Sequence, residues 1–284
     1  MGQAPSIPLH MRRTPFDPVD DLARRRTHAP VSRVEAPIGQ VRFPAWLITR
    51  YDDVRAVLGD TTRFSNSGEA VRANVAAVLG DETAARLPLS AQASLLGYDP
   101  PDHTRLRRLL APKFTVRRML ALRPRIEAIV HGHLAAMADQ GPPVDLVRAF
   151  ALPVPSLVIC ELLGVPYEDR ADFQRRSKAL VSIGLDIEER RAVSEESRVY
   201  MAELVRRERA RPRETLLGSL IREHGDDLSD DELTNLAGLL LIAGHETTAN
   251  MLGLGTLLLL RHPDQLALLR DDPGIADRAV EEQR

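Results

Sequence analysis

A polar cluster interrupts an otherwise apolar stretch of the sequence at Ala243-Gly244-His245-Glu246-Thr247-Thr248. Buried polar groups cost free energy unless they have partners, so a cluster in such a stretch needs a reason. In a helix, Thr247 lies four residues after Ala243, and its hydroxyl can donate to the Ala243 carbonyl and open a notch in the helix. Small Ala243 and Gly244 leave room there for water or a diatomic molecule, and Glu246 supplies a proton carrier.

Two other interpretations of this cluster need to be weighed. His245-Glu246 would fit a zinc protease only if a second histidine followed on the same helical face, and that position holds Ala249. The cluster could also be a buried polar patch whose groups are satisfied by neighbouring helices. The residues of the cluster therefore exclude the zinc site but leave the structural patch open.

One long helix is predicted to carry the cluster. It begins at the capping box formed by Ser229 and Glu232 and ends at His262-Pro263. Roughly thirty residues at 1.5 Å each give a length of about 45 Å. Apolar residues lie on all its sides, which predicts a buried central helix. A membrane span is rejected because the polar residues at 245–248 and Asn250 lie at its middle.

A second stretch whose side chains could bind a ligand runs from Asp99 to Leu110 and is rich in arginine. Asp99 is placed to cap the helix that follows, and His103 and Arg107 share one helical face because they are four residues apart. Such a pair can bind carboxylates through charge-assisted hydrogen bonds, although a solvated basic face would look the same. Four further basic residues could dock an acidic partner, with solvation as the simpler interpretation: Arg108, Lys113, Arg117 and Arg118.

Composition limits the classes of function. The chain of 284 residues has 38 basic and 40 acidic residues, so no overall field favours nucleic acid or a membrane surface. Cys160 is the sole cysteine, which excludes an internal disulfide and predicts a reducing compartment, the cytoplasm. Cys160 lies in an apolar helix and is expected to be a buried core residue.

The pattern along the chain predicts a mainly α protein with a little N-terminal β structure. Residues 1–37 are expected to form an irregular arm, and residues 38–284 one domain. A strand is predicted at 44–49 and a helix from about Asp52. Helices are then expected after Arg118, over Leu157–Leu163 with a stop at Gly164, and over 186–211 as a surface helix.

The polar cluster at 243–248 and the arginine-rich stretch that begins at Asp99 both resemble segments of the cytochrome P450 family. Residues 240–250 (Leu-Leu-Ile-Ala-Gly-His-Glu-Thr-Thr-Ala-Asn) are similar to its oxygen-activation helix, and residues 99–115 to its haem-propionate segment. Weaker similarities lie at 46–54, 63–65 and 158–166, in the order the family has them. The resemblance implies the helical portion of the cytochrome P450 fold with a little N-terminal β structure, and with the C-terminal haem-ligand region absent.

The resemblance also implies a function and roles for residues. A haem (heme) monooxygenase of this family inserts oxygen from O2 into an apolar small molecule, using electrons from a ferredoxin-type partner. It implies that Glu246 and Thr247 relay protons during oxygen activation and that Ala243 and Gly244 make room for oxygen. His103 and Arg107 would anchor the haem as cofactor. The segments Asn66–Leu96 and Tyr167–Arg211 resemble the variable lid of the substrate pocket.

The sequence departs from the family at the iron ligand. The family holds its iron through a cysteine in a loop well after the oxygen-activation helix, and the sequence reaches Arg284 before any such loop. Cys160 does not match that position. Two explanations stay open: the chain is a truncated or frameshifted monooxygenase, inactive as it stands, or it is a non-catalytic helical protein that binds a small molecule or a partner.

Overall fold

The computed structural model describes residues 12–14, 17–38, 41–86, 95–180 and 187–283. The chain divides into two compact units, Met1–Leu106 and Arg107–Arg284. Most described residues are helical, and the strands lie in the first unit. The prediction of a mainly α fold with a little N-terminal β structure is therefore confirmed.

The first unit contains two small antiparallel sheets and short helices. Strand β3 (Val31–Ile38) pairs with β4 (Val41–Ile48) in a register that sets Val31 opposite Ile48. The predicted strand at 44–49 forms the second half of β4, and the predicted helix from about Asp52 begins at Tyr51. The other elements of this unit are β1 (Arg13–Thr14), β2 (Asp17–Pro18), α1 (Asp20–His28), α2 (Tyr51–Gly59), α3 (Gly68–Leu79), α4 (Asp81–Arg86) and a 3-10 turn at Leu95–Gly97.

The segment expected to be an irregular arm is regular over most of its described part. Residues 1–11 lie outside the described residues, but α1 and β3 occupy 20–28 and 31–38. Acidic Asp20 and Asp21 lie in the first turn of α1 and basic residues in its last turn, an order that suits the helix dipole. Arg25 links the two elements because its guanidinium donates to Asp21 and to Ser32 Oγ, both at 3.0 Å. The expectation of one domain over 38–284 stays a prediction.

The second unit is built from helices. Helix α5 (Asp102–Leu110) crosses the boundary between the units. The elements that follow are a 3-10 turn at Ala111–Phe114, α6 (Val116–Gln140), a π turn (Val147–Ala151), α7 (Pro153–Leu163), a 3-10 turn at Tyr167–Asp169, α8 (Arg170–Leu180), α9 (Ile187–Ala210), α10 (Leu216–His224), α11 (Asp230–Arg261), α12 (Pro263–Asp271), a 3-10 turn at Pro273–Ile275 and α13 (Ala276–Gln283).

Helix α11 packs mainly against α9, α7 and the π turn. Aliphatic side chains fill this core, among them Leu163, Leu204, Val205, Leu233, Leu236 and Leu241. Helix α7 ends as predicted at Gly164, whose φ of +76° suits glycine. A Cβ at Gly164 would also lie 2.6 Å from Thr215 Cγ2 and 2.9 Å from Glu208 Oε1. The stop at Gly164 is therefore fixed both by backbone conformation and by close packing.

A buried acidic side chain, that of Glu208, lies next to Gly164. Glu208 is fully buried, and its carboxylate accepts hydrogen bonds from the Arg213 backbone N–H at 3.0 Å and from Arg213 Nε at 2.7 Å. Arg213 also donates to Gly164 O. A buried charge is tolerated when it is paired and hydrogen-bonded in this way. The pair joins the end of α7 to the connection between α9 and α10.

None of the helices in the described ranges combines the length and the apolar character that crossing a bilayer requires. This finding includes α11, the longest of them.

Candidate functional site

Helix α11 begins where the sequence predicted. Ser229 Oγ accepts from the Glu232 backbone N–H at 3.2 Å, and Glu232 Oε2 accepts from the Ser229 backbone N–H at 2.9 Å. This is the predicted capping box. The helix then runs without a break to Arg261, next to His262 and Pro263. Its bounds place the polar cluster near the middle of a continuous helix.

The two sides of α11 differ in exposure, and the prediction of burial on all sides was wrong. The buried side includes Leu241, His245 and Ala249. The opposite side is exposed to solvent and carries large apolar side chains: Ile242, Leu254, Leu257 and Leu260. Apolar residues on every side of a helix allow each side to be buried. They do not determine which side packs against α7, α9 and the π turn.

Three predicted site residues lie together on the exposed side of α11. Ala243, Glu246 and Thr247 are all exposed. Thr247 Oγ1 donates to Ala243 O at 2.7 Å, which is the predicted hydrogen bond. Because the helix continues through this point, the hydroxyl adds a second partner to the carbonyl and does not break the backbone ladder. The result is a surface of one methyl group, one hydroxyl and one carboxylate.

Gly244 points in another direction. It faces α7, and a Cβ built on it would overlap Ile159 Cδ1 and lie 3.1 Å from Ile159 Cγ1. Atoms in ordinary contact are about 3.5–4.0 Å apart. Glycine at this position therefore lets α11 approach α7 closely. The role of Gly244 beside oxygen stays a prediction, and packing alone already requires its small size.

His245, inside the same motif, was not predicted as a site residue. Its side chain is 3% exposed and its Nε2 lies 3.2 Å from Leu152 O. Burial lowers the pKa of the imidazole, and the Leu152 carbonyl opposes that shift. The sequence did contain a signal: His245 lies two residues from both Ala243 and Thr247, so a helix must place it on the other side.

The predicted basic pair lies on α5. His103 is half-buried and Arg107, one turn later, is exposed. Asp99 was expected to cap this helix with its side chain, but its carboxylate accepts from Ser65 Oγ and from the Asn66 backbone N–H at 2.9 Å. These hydrogen bonds, with that of Ser65 the strongest cause, lower the pKa of Asp99. The Asp99 carboxylate therefore stabilises the loop before α3. Its backbone carbonyl accepts a hydrogen bond from the His103 N–H at the start of α5.

Lys113 does not belong to a solvated patch. It is 1% exposed, and its Nζ lies 2.6 Å from Glu223 Oε2 and 3.3 Å from Ser219 O. Arg118 adds bonds to Ser219 Oγ at 3.3 Å and to Glu223 at 3.4 Å. Lys113 chiefly, together with Arg118, lowers the pKa of Glu223. Lys113 thus ties the turn before α6 to α10, and docking by the exposed Arg108, Arg117 and Arg118 stays a prediction.

Cys160 does not fit an iron ligand. Its side chain is fully buried in α7, and burial raises the pKa of its thiol to about 12. A metal-binding sulfur must be a thiolate, which forms in electropositive and accessible surroundings. Within the described ranges, no group of three or more histidine, cysteine, aspartate or glutamate side chains is arranged to hold a metal ion. The expectation of a buried core cysteine is met.

Comparisons with known proteins identify the family of this chain. A family model described as cytochrome P450 matches residues 186–273, which include α11. Cytochrome P450 FAS1 of Rhodococcoides fascians is 42% identical over 99% of this chain and 69% of its own length. The vitamin D(3) 25-hydroxylase of Pseudonocardia autotrophica is 44% identical over 94% of this chain and 63% of its own length.

A solved structure gives the same result. The LnmA cytochrome P450 hydroxylase of Streptomyces atroolivaceus is 40% identical, with a TM-score of 0.80 over 97% of this chain and 67% of that one. The chain belongs to the cytochrome P450 family. It spans 63–69% of the length of the curated relatives FAS1 and the vitamin D(3) hydroxylase.

Proposed function

We propose that this chain carries the oxygen-activating side of a haem monooxygenase that inserts one atom of O2 into a C–H bond of an apolar small molecule. One observation carries the proposal: Ala243, Glu246 and Thr247 share the exposed side of α11, with the Thr247 hydroxyl on the Ala243 carbonyl. Family membership supports it, because the relatives include proteins named as hydroxylases.

The residues of this side are suited to binding oxygen and moving protons. The Ala243 methyl group leaves space above the helix that a larger side chain would fill. Thr247 Oγ1 donates a hydrogen bond to Ala243 O and keeps lone pairs that can accept a hydrogen bond from a water molecule, and the Glu246 carboxylate one residue away can pass protons between solvent and such a water. In this proposal the two side chains deliver protons to dioxygen.

The fit to haem is good for the propionates and poor for the iron ligand. His103 and Arg107 would hold the propionates, since charge-assisted hydrogen bonds to carboxylates suit an imidazole and a guanidinium one turn apart. Haem with a cysteine thiolate supplies the electron donation that favours O–O cleavage. Cys160 cannot supply that thiolate because it is buried and its thiol is held neutral.

We therefore propose that these 284 residues by themselves do not complete the catalytic centre and do not turn over substrate. In the complete reaction we expect an apolar substrate. The segments 66–96 and 167–211 stay the ones whose resemblance predicts variation with substrate, and of these 87–94 and 181–186 lie outside the described residues. Electrons are expected from a ferredoxin-type donor. The single cysteine favours a reducing compartment, the cytoplasm.

Titration of the purified chain with hemin tests the cofactor assignment. We expect binding that His103→Ala and Arg107→Ala each weaken by about ten- to a hundredfold, because a hydrogen bond to a charged group contributes about 1.5–3 kcal/mol. Arg117→Ala is the matched control, since Arg117 is an exposed arginine outside the pair. Equal affinity for all three variants would remove His103 and Arg107 from the site.

The spectrum of the reduced, carbon-monoxide-bound sample tests the ligand. We expect no thiolate-type Soret band from this chain, and such a band would contradict the exclusion of Cys160. Reading the coding DNA beyond the codon for Arg284, in all frames, is expected to reveal a Phe-Gly-x-Gly-x-x-x-Cys loop. The alternative is a non-catalytic helical binding protein, which predicts cooperative unfolding without any hemin binding.

A further inference from the structure

Two histidines from different helices contact the π turn and the residue that follows it. His133 of α6 places Nδ1 2.9 Å from Ala149 O, and His245 of α11 places Nε2 3.2 Å from Leu152 O. Within the turn, the Leu152 N–H donates to Val147 O at 3.0 Å, five residues back instead of four. Such turns are rare and often mark functional positions. The two imidazoles therefore connect α6 and α11 to one irregular segment.

The carbonyl partner fixes the chemical form of His245. A carbonyl oxygen can only accept a hydrogen bond, so Nε2 must carry a hydrogen and donate it. Burial disfavours the charged ring, and the pKa of His245 is lowered accordingly. The neutral ring with a hydrogen on Nε2 has a lone pair on Nδ1. That Nδ1 atom is buried and has no hydrogen-bond partner among the described residues.

Ser156 offers a complementary group on α7. It is 1% exposed, and its hydroxyl also lacks a partner in the part of the chain that the structure describes. Ser156 lies four residues after Leu152, which accepts from His245, and three before Ile159, which contacts Gly244. Residues at these spacings share a helical face. The hydroxyl is thus on the side of α7 that faces α11, where it is a second buried polar group without a partner among the described residues.

His245 lies opposite the candidate site on α11. At about 100° per residue, His245 is about 200° around the helix from both Ala243 and Thr247. Any rotation of α11 that frees His245 from Leu152 O would therefore turn Ala243 and Thr247 away from their present direction. The neighbouring Gly244 permits the close approach to α7 on which this contact depends.

We propose that His245 is a positioning residue. As the neutral Nε2–H tautomer, bonded to Leu152 O, it sets the rotation of α11 and so the direction of Ala243 and Thr247. The proposal rests on the proposed function in that those residues are taken as the site. The contact itself exists without haem, so its test is carried out on the haem-free chain, and a failure there leaves the proposed function standing.

The test compares two substitutions of similar size by amide hydrogen exchange. A glutamine amide can place an N–H near the position of the imidazole Nε2, whereas methionine cannot donate. We expect His245→Met to speed exchange at residues 243–247 about tenfold, which corresponds to about 1.4 kcal/mol. His245→Gln should stay near the wild-type rates. His133→Met, which removes the same kind of bond from α6, should leave 243–247 unchanged.

Three results would overturn the proposal. The first is equal exchange at 243–247 in the glutamine and methionine variants. The second is an equal increase in the amides of Met201–Val205 in α9, because that would indicate a general loss of stability. The third comes from the wild-type chain and keeps the proposal falsifiable if His245→Met does not fold: the imidazole nitrogen chemical shifts must show hydrogen on Nε2, and hydrogen on Nδ1 would exclude the assigned bond.

Discussion

The contact between Gly244 and Ile159 predicts how α11 responds to one added methyl group. In Gly244→Ala the new Cβ would lie 3.1 Å from Ile159 Cγ1 and closer to Cδ1. Overfilling a packed interface in this way costs about 1–3 kcal/mol. Alanine also gains about 1 kcal/mol over glycine in a helix, and this gain must be separated from the cost of the overlap.

Gly238 provides the matched control for this substitution. It lies in the same helix, and a Cβ there would meet nothing within 4 Å. Gly238→Ala should therefore be stabilised by about 1 kcal/mol. The difference between the two alanine variants isolates the contact, because both gain the same helix propensity. Urea unfolding followed by circular dichroism should show Gly244→Ala less stable than Gly238→Ala by about 1–3 kcal/mol.

Shortening Ile159 tests whether the cost arises at this contact. Ile159→Val removes Cδ1 and should cost about 0.5–1.5 kcal/mol in the wild-type chain. In the Gly244→Ala background the same change relieves the overlap, so we expect it to cost less or to stabilise, with a coupling of at least about 1 kcal/mol. Additive effects, or equal midpoints for the two alanine variants, would refute the assignment of Gly244 to packing.

Three further predictions concern titration, reactivity and the site hydroxyl. Because Lys113 lowers the pKa of Glu223, the ion pair contributes stability above the unfolded pKa near 4.5 and loses it as the pH falls through the folded value; acid unfolding of Glu223→Gln should show a shallower loss below that pH. Cys160 should resist a thiol reagent in the folded chain at pH 8 and react fully in urea, since its thiol is buried and its pKa is about 12; fast labelling of the native chain would contradict its placement. Thr247→Val should change the free energy of unfolding by less than about 0.5 kcal/mol in urea titrations, because the exposed Ala243 carbonyl stays within the helix ladder; a larger loss would make the hydroxyl a structural group.

Local features of this chain could be predicted from sequence because local chemistry determines them. The capping box at Ser229 and Glu232 needs only residues three apart, and the bond from Thr247 to Ala243 needs only residues four apart. The stop at Gly164 likewise follows from one residue that tolerates a positive φ. Family membership was predictable too, since the motif around Thr247 is specific.

Features that depend on distant partners could not be predicted. Lys113 looked like a surface base, but Glu223 and Ser219, more than a hundred positions later in the chain, bury and pair it. The uniformly apolar pattern of α11 gave no indication of which side would be covered. His245 was missed for the same reason, because its partner Leu152 lies ninety-three residues earlier.

The exposed apolar side chains of α11 have a practical consequence for handling this chain in solution. Ile242, Leu254, Leu257 and Leu260 present aliphatic surface to water along one helix, and each square ångström of such surface removed from water is favourable by about 25 cal/mol. Exposed apolar surface of this kind promotes self-association. Dilute protein, low salt and a mild detergent should therefore keep the purified chain dispersed, whereas sulfate, which strengthens apolar association, should precipitate it early.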